Sequence, residues 1–301
     1  MKRGYSTTPL ADRRKRLRDA LQGTSLLVAP GVYDMISAKM ADTSGFSALY
    51  MTGYGTVASY LGLPDAGLAN GTDMLDRVEQ TALVTETPLI CDADTGYGGL
   101  LNVMHTVRSY ERAGACAIQL EDQCYPKKCG HMPGRQVVAP EEMEARIRVA
   151  LDSRQDDNTV IIARTDARTS YGLDEALRRA ERYARAGADV LFVESPESEH
   201  EMRRICSSVD IPVLANMVEG GRTPVLPPEQ LEALGFRIGI FPATGFLGAA
   251  QVFSRIYQAL AKNRLPDVEL YPFESFSHLM GFDWVKEFDE KYSRTARVDH
   301  D

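Results

Sequence analysis

The chain has no CxxC pair, no excess of basic residues and no apolar run approaching the ~18 residues needed to span a bilayer. Each absence excludes something. Cys91, Cys116, Cys124, Cys129 and Cys206 form an odd set without paired spacing, which reads as free thiols in a reducing compartment rather than a disulfide framework. The cytoplasm is the expected setting, and no membrane partner is expected. Acidic residues outnumber basic ones, 42 to 34, for a formal net charge of -8, so no basic field exists to hold a nucleic-acid backbone. The opening stretch MKRGYSTTPLADRRKRLRDALQG lacks the apolar centre of a secretory signal, and Asp12 and Asp19 argue against a transit peptide. It is expected to form a solvated basic helix.

What the chain does have is a repeated pattern. Eight short apolar runs each end in a polar or glycine-containing cluster: SLLVAPG, ALYMTGYG, PLICDADTGYG, CAIQLEDQ, VIIARTDA, DVLFVES, PVLANMVE and RIGIFPATG. Helical patterns lie between most of them, such as Met143, Ile147 and Leu151 after Pro140, or Leu173, Leu177, Ala180 and Ala184 before Gly187. Continuous apolar strands alternating with helices imply a parallel sheet covered by helices, and eight units imply closure. The fold class is therefore α/β, a (β/α)8 TIM-type barrel; a doubly wound open sheet fits the strand count less well. Gly45, Gly114, Gly187 and Gly235 each precede a strand and suit the left-handed position that ends a helix. With 301 residues and 44% hydrophobic content, one domain is expected. It divides into an N-terminal helix (1–24), the barrel (25–245) and a C-terminal helical extension (246–301). The aromatic-rich extension exceeds what closure requires, and apolar residues at helical spacing there point to a homo-oligomer.

In such a barrel the C-terminal strand ends face one shared site. Here they are Thr52 and Gly53, Asp92 and Asp94, Glu121 and Asp122, Arg164 and Asp166, Glu194, Asn216, and Pro242 with Thr244. Solvated loop charge explains any single one, and Asp122 and Asp166 suit structural roles equally well, but solvated loops explain the ensemble poorly. Carboxylates converging on one cavity repel unless a cation sits among them, and all-oxygen ligation with retained water suits Mg²⁺. Asp92 and Asp94, two residues apart, would share one face of a regular strand. Asp92 is the expected direct ligand, with Glu121 nearby.

The stretch QLEDQCYPKKCGHMPGR adds a thiol. A zinc reading of Cys124, Cys129 and His131 fails on spacing and lacks a fourth ligand. A buried structural cysteine fits poorly with Lys127, Lys128, Gly130 and His131, which describe a polar loop. Cationic neighbours would favour a thiolate relative to a free thiol of pKa about 8.5, making Cys129 usable as a general acid or base near neutrality.

Taken with DADTGYG, LEDQ, ARTDA and LANMVEGGRTP, the KKCGH segment resembles the isocitrate lyase and phosphoenolpyruvate mutase superfamily. The likeness is to its short lyase branch, and it runs from about Val28 to the C-terminus. The resemblance implies Mg²⁺-dependent cleavage of a carbon–carbon bond in a small di- or tricarboxylate 2-hydroxy acid, with Mn²⁺ as a substitute. It implies Cys129 as the acid that protonates the enolate product and Asp92 nearest the metal, with Asp65, Asp94 and Glu121 holding the metal's water shell. Thr52, Gly53 and Tyr54 match the segment that binds the 2-keto or 2-hydroxy acid end. Gly130, His131, Arg164 and Asn216 match substrate contacts, and Glu194 a nearby carboxylate. Tyr50 and Arg164 are the candidates for the base that opens the reaction. A homotetramer with exchanged C-terminal helices is also implied.

Departures from the branch narrow the substrate. Isocitrate is disfavoured because NMVEGGRTP replaces a serine-rich carboxylate-binding segment. Met132 stands where 2-methylisocitrate lyases carry arginine, and Pro242 where oxaloacetate acetylhydrolases carry serine. The expectation is a lyase for a substituted, dimethylmalate-like malate that releases pyruvate or another 2-keto acid and a carboxylate. Carboxyphosphonoenolpyruvate phosphonomutase-type or 2-methylisocitrate lyase chemistry is the alternative. A barrel that only binds dicarboxylates would be marked by loss of Cys129 or Asp92, and both are present.

Overall fold

The structure, a computed structural model, describes residues 5–128, 130 and 134–293. The chain begins with α1 (Leu10–Gln22), β1 (Leu27–Val32), α2 (Met35–Asp42), β2 (Leu49–Met51), α3 (Gly53–Leu61), α4 (Gly71–Val84) and β3 (Leu89–Asp92). It continues through α5 (Leu100–Ala113), β4 (Ala117–Glu121), α6 (Pro140–Ser153), β5 (Val160–Thr165), α7 (Ala167–Tyr171), α8 (Leu173–Arg185) and β6 (Val190–Val193). Then come α9 (Glu199–Cys206), β7 (Val213–Asn216), α10 (Pro228–Leu234), β8 (Ile238–Phe241), α11 (Thr244–Leu260), α12 (Phe273–Met280) and α13 (Phe282–Ser293). The strands are parallel and close in sequence order, with β8 pairing back to β1.

The eight apolar runs are the eight strands, and the four punctuating glycines all have positive φ, from 84° at Gly45 to 114° at Gly114. Alternation along each strand sorts residues into two layers. Tyr50, Ile90, Ala117, Val160, Ile162, Val190, Phe192, Leu214, Ile238 and Ile240 fill the barrel interior. Their neighbours Leu49, Met51, Leu89, Cys91, Ile118, Leu120, Ile161 and Ala163 pack outward against the helices. Continuing the inward rows by two residues reaches Thr52, Asp92, Arg164, Glu194, Asn216 and Pro242. The packing period of the core therefore aims these groups at the mouth.

The first helix departs from expectation. Arg13 and Arg14 are buried at 4% and 8% exposure. The Arg13 guanidinium donates to the Ala82 and Thr85 carbonyls, both at 2.8 Å, and Arg14 donates to the Ala115 carbonyl at 3.2 Å. Leu17 and Leu21 of the same helix join the interior cluster. Arg13 and Arg14 thus satisfy carbonyls near the ends of α4 and α5, which packs one face of this basic amphipathic helix against the barrel, while Lys15 and Arg16 stay exposed on the other.

At the other end, α11, α12 and α13 bury no residue. Tyr257, Phe273, Phe282 and Tyr292 are each at least half exposed. None of the described helices is long and apolar enough to cross a membrane, and the four described cysteines are free thiols.

Candidate active site

The mouth of the barrel holds a cavity of about 560 Å³. Of the residues singled out from sequence, Tyr50, Thr52, Tyr54, Asp65, Asp92 and Glu121 line it, as do Gly130, Arg164, Glu194, Asn216 and Pro242. Gly53 and Asp94 stand behind the wall. Cys129 and His131 lie outside the described residues.

Arg164 is the hub. Its Nε and Nη2 donate to Asp166 Oδ2 and Oδ1, both at 2.9 Å. Nη2 lies 3.2 Å from Glu194 Oε2 and Nε 3.5 Å from Glu121 Oε2, and the guanidinium sits over the Phe192 ring at 5.0 Å. Burial alone would lower the Arg164 pKa, but Asp166, Glu194 and Glu121 more than reverse this and hold it well above its ordinary value. Asp166 is kept below the usual carboxylate range: burial would raise it, and Arg164 followed by Arg135 overcomes that. Beneath it, Asp122 accepts from the Asp166 backbone N–H at 2.9 Å, Thr165 at 2.7 Å, Tyr183 at 2.8 Å and Arg179 at 3.0 Å. Asp122 and Asp166 are therefore structural, one fixing the other.

The acidic side is organised differently from the sequence expectation. β3 ends at Asp92, and Asp94 has φ 48°, so the two residues do not share a strand face. Asp94 turns back instead, its N–H donating to Asp92 Oδ1 at 3.0 Å. Lys127 was expected in a polar loop beside Cys129. It is 4% exposed, with Nζ 2.6 Å from Asp65 Oδ1 and 2.7 Å from Asp94 Oδ1. Lys127 and Arg164 thus already supply part of the relief of repulsion that had been assigned to a metal.

The relief is incomplete. Asp65, Asp94, Glu121, Asp166 and Glu194 form ion pairs only with Lys127, Arg164 and Arg135 among the described residues, and Asp92 forms none. Burial pushes Asp94 up to about 7; Lys127 opposes the rise, while Asp92 and Asp65 add to it. Burial likewise pushes Glu121 well above its ordinary value, against Arg164 and with help from Asp166. The surplus is negative.

No group of three His, Cys, Asp or Glu side chains among the described residues could hold a metal ion by itself. Mg²⁺ does not need one, since it binds through one or two carboxylates and keeps several waters. Glu121 Oε1 is buried without a hydrogen-bond partner, as an acceptor for a metal-bound water would be in the metal's absence. The donor set fits a hydrated divalent cation.

Two glycines show how tightly the site is drawn. A Cβ on Gly53, at the start of α3, would fall 2.7 Å from Asp92 Oδ2, and one on Gly130 would strike the Arg164 guanidinium and lie 3.0 Å from Glu194 Oε2. Glu194 also accepts from Asn216 Nδ2 at 3.0 Å and from Ser195 Oγ at 3.1 Å. Ser195, at φ 62°, was not anticipated. Non-glycine residues in left-handed backbone cost about 1–3 kcal/mol and cluster at functional sites, but φ is not legible in sequence. Gln119 was missed too: it accepts from Tyr50 OH at 3.0 Å and reaches Asp92 Oδ1 at 3.4 Å. The period-two row Ala117, Gln119, Glu121 could have revealed it.

Burial, then the Asp92 charge, push the Tyr50 pKa well above the ordinary value despite Arg164 and the Gln119 bond.

A closed parallel barrel with buried charge at its C-terminal mouth defines a (β/α)8-barrel enzyme. A family model described as phosphoenolpyruvate phosphomutase matches residues 17–261, and the chain belongs to that family, within the isocitrate lyase and PEP mutase superfamily. It is 46% identical over 282 residues to 2,3-dimethylmalate lyase of Eubacterium barkeri, across 92% of this chain and 97% of that protein. The structure of oxaloacetate acetylhydrolase with the inhibitor 3,3-difluorooxalacetate matches with a TM-score of 0.90 at 36% identity, covering 95% of this chain and 99% of that one. Phosphonopyruvate hydrolase in complex with oxalate and Mg²⁺ matches at 0.80 and 28% identity, covering 93% and 99%.

The buried role of Lys127 predicts that Lys127→Met, which leaves Asp65 and Asp94 without their ammonium, destabilises the fold by about 3–5 kcal/mol. Lys128→Met, at the exposed neighbour, should stay within about 0.5 kcal/mol. The check is the urea midpoint of each variant at an unchanged slope.

Proposed function

We propose that the chain is a divalent-metal-dependent lyase that cleaves the C2–C3 bond of a 2,3-dimethylmalate-like substituted malate into pyruvate, or another 2-keto acid, and a carboxylate. The observation that carries this is the convergence of Asp92, Glu121, Arg164, Glu194 and Asn216 on one cavity. The likeness to 2,3-dimethylmalate lyase across nearly the whole chain supports it, and the Mg²⁺ in phosphonopyruvate hydrolase supports the cation. Pro242 on the wall offers neither a hydroxyl nor an N–H. That weighs against the oxaloacetate-hydrolysing reading which the match to oxaloacetate acetylhydrolase would otherwise favour.

In this reading Asp92 holds the cation, with Asp65, Asp94 and Glu121 ordering its waters. When bound, the cation supplies Lewis-acid stabilisation of charge developing on the 2-keto acid oxygens. After the N-cap Thr52, whose own N–H is taken by the Val32 carbonyl at 3.1 Å, the first turn of α3 at Gly53 and Tyr54 presents backbone N–H groups suited to the C1 carboxylate. Arg164 lies across from α3 as a fixed cation, preorganised by Asp166. Glu194, the cavity carboxylate not assigned to the cation, takes the C2 hydroxyl proton in this reading. The C2–O bond becomes a carbonyl, the C2–C3 electron pair moves to C3 as the enolate of the leaving carboxylate, and the Cys129 thiol returns a proton to C3. His131 contributes a substrate contact beside Cys129 in this scheme. The exposed apolar faces of α11, α12 and α13 are covered by a second copy of the chain, within a homotetramer. Free cysteines fit a cytoplasmic enzyme.

Pyruvate release from 2,3-dimethylmalate, coupled to lactate dehydrogenase, should vanish after exhaustive EDTA treatment and return with Mg²⁺ or Mn²⁺; full turnover without metal would reject the reading. Cys129→Ser should lower kcat by about 100- to 10,000-fold with little change in KM, and retention of more than about a tenth of wild-type kcat would remove Cys129 from the mechanism. Truncation after Pro266 should aggregate or dissociate the assembly in size-exclusion chromatography with light scattering, and a soluble active monomer would contradict the proposed contact.

A further inference from the structure

The strand order divides the cavity into two chemically unlike halves. In a closed eight-stranded barrel, β3 and β4 lie across from β7 and β8. Asp92, Glu121, Arg164 and Glu194 stand on or directly after β3, β4, β5 and β6. The cavity's described cations, Lys127, Lys128 and Arg164, also belong to this side, from β5 and the segment after β4. Lys127 is committed to Asp65 and Asp94, Arg164 to its carboxylates, and Lys128 Nζ donates to the Gly134 carbonyl at 3.1 Å.

The opposite wall is built by Val218, Pro242, Ala243, Phe246 and Leu247. Phe246 is fixed there by edge-to-face contacts with Tyr54 at 5.3 Å and Tyr33 at 6.0 Å. Its one charged group is Glu219, an exposed side chain whose Oε1 accepts from Thr244 Oγ1 at 2.5 Å. No described cation forms an ion pair with it. A third carboxylate placed on this wall would be partly desolvated against apolar side chains and would face a like charge.

We infer that the wall from Val218 to Leu247 is the subsite for the C3 substituent of the substrate, that it takes a short alkyl group, and that Glu219 helps to reject a carboxymethyl group at the same carbon. This rests on the lyase reading above and names its substrate class: C3-alkyl dicarboxylates, against tricarboxylates. The wall discriminates by hydrophobic contact, worth about 10- to 200-fold per methylene, and by the lack of a partner for a charge.

The test uses the full-length metal-loaded protein. Wild type should release pyruvate from 2,3-dimethylmalate with a kcat/KM at least about 10-fold above that for 2-methylmalate, and at least about 100-fold above that for 2-methylisocitrate. Leu247→Arg, on α11 and 43% exposed in the single chain, should narrow the second ratio about 10-fold or more by supplying the missing cation, with an unchanged size-exclusion volume showing that the α11 contact is intact. Glu219→Gln should narrow it by a smaller factor. A second arm needs no turnover: calorimetric affinities for 2-ethylsuccinate and propane-1,2,3-tricarboxylate should favour the former in wild type, and Leu247→Arg should shift them toward the latter. If no malate is cleaved yet this binding preference and its shift are seen, the alkyl wall stands and the reaction assignment falls. Equal affinities, binding of neither ligand, or a ratio unmoved by Leu247→Arg would each overturn the wall, whatever the turnover.

Discussion

The site depends on one buried pair, the Arg164 guanidinium and the Asp166 carboxylate, joined through two hydrogen bonds of 2.9 Å. A guanidinium offers five donors in a fixed fork, so once Asp166 takes Nε and one edge of Nη2, the remaining directions are set. Glu194 and Glu121 then find their partner without moving. Asp166 is itself immobilised by Asp122 through the backbone N–H at position 166, and Asp122 by Tyr183 and Arg179 on α8. Position thus passes from an outer helix through an outward-facing residue to an inward-facing one. Burial of such a pair gains little net stability, because desolvation offsets much of the Coulomb attraction. Its consequence is directional.

Much of this was legible in the sequence, for a specific reason. A parallel barrel makes every strand buried on both faces, so its strands read as continuous apolar runs, and the charged or polar residue ending most of them is the signal of the mouth. Asp92, Glu121, Arg164, Glu194 and Asn216 were found that way, and the structure brings all five to one cavity. The period of two carries the same information in finer form, since Val160, Ile162 and Arg164 form one row, as do Val190, Phe192 and Glu194.

What stayed hidden is where the period breaks or where partners come from distant segments. Asp94 was expected on the same strand face as Asp92 because it lies two positions on, but the strand stops at Asp92 and a left-handed backbone at Asp94 redirects the chain. Lys127 looked like a solvated loop cation because its neighbours are polar. Only the fold shows Asp65 and Asp94 meeting it from two other loops. The buried face of the basic first helix was hidden for the same reason: the carbonyls that Arg13 satisfies belong to residues 82 and 85, far away in sequence. Long-range pairing of charge carries no local signature.

These hidden features are also the costly ones. Asp94, Tyr97 and Ser195 hold left-handed backbone, at about 1–3 kcal/mol each for residues with a Cβ. Burial raises the pKa values of Asp94 and Glu121, and neighbouring carboxylates add to the rise against Lys127 and Arg164. Both penalties sit at the C-terminal mouth. Below it, the interior is apolar, filled by side chains such as Ile90, Val160, Ile162, Phe192, Leu214 and Ile240. Stability and chemistry are therefore separated along the barrel axis, and the lower layers offset what the upper layer costs. Separation of this kind lets the mouth stay electrostatically unsatisfied while the barrel remains folded. A site already neutralised by its own residues would have little affinity for a divalent cation and no reason to distinguish an anionic transition state from its substrate. The residual negative field beside Asp92 and the fixed positive charge of Arg164 instead leave two opposed demands across one cavity. In the proposed reading, a divalent cation held beside Asp92 and an anionic substrate facing Arg164 would meet both at once.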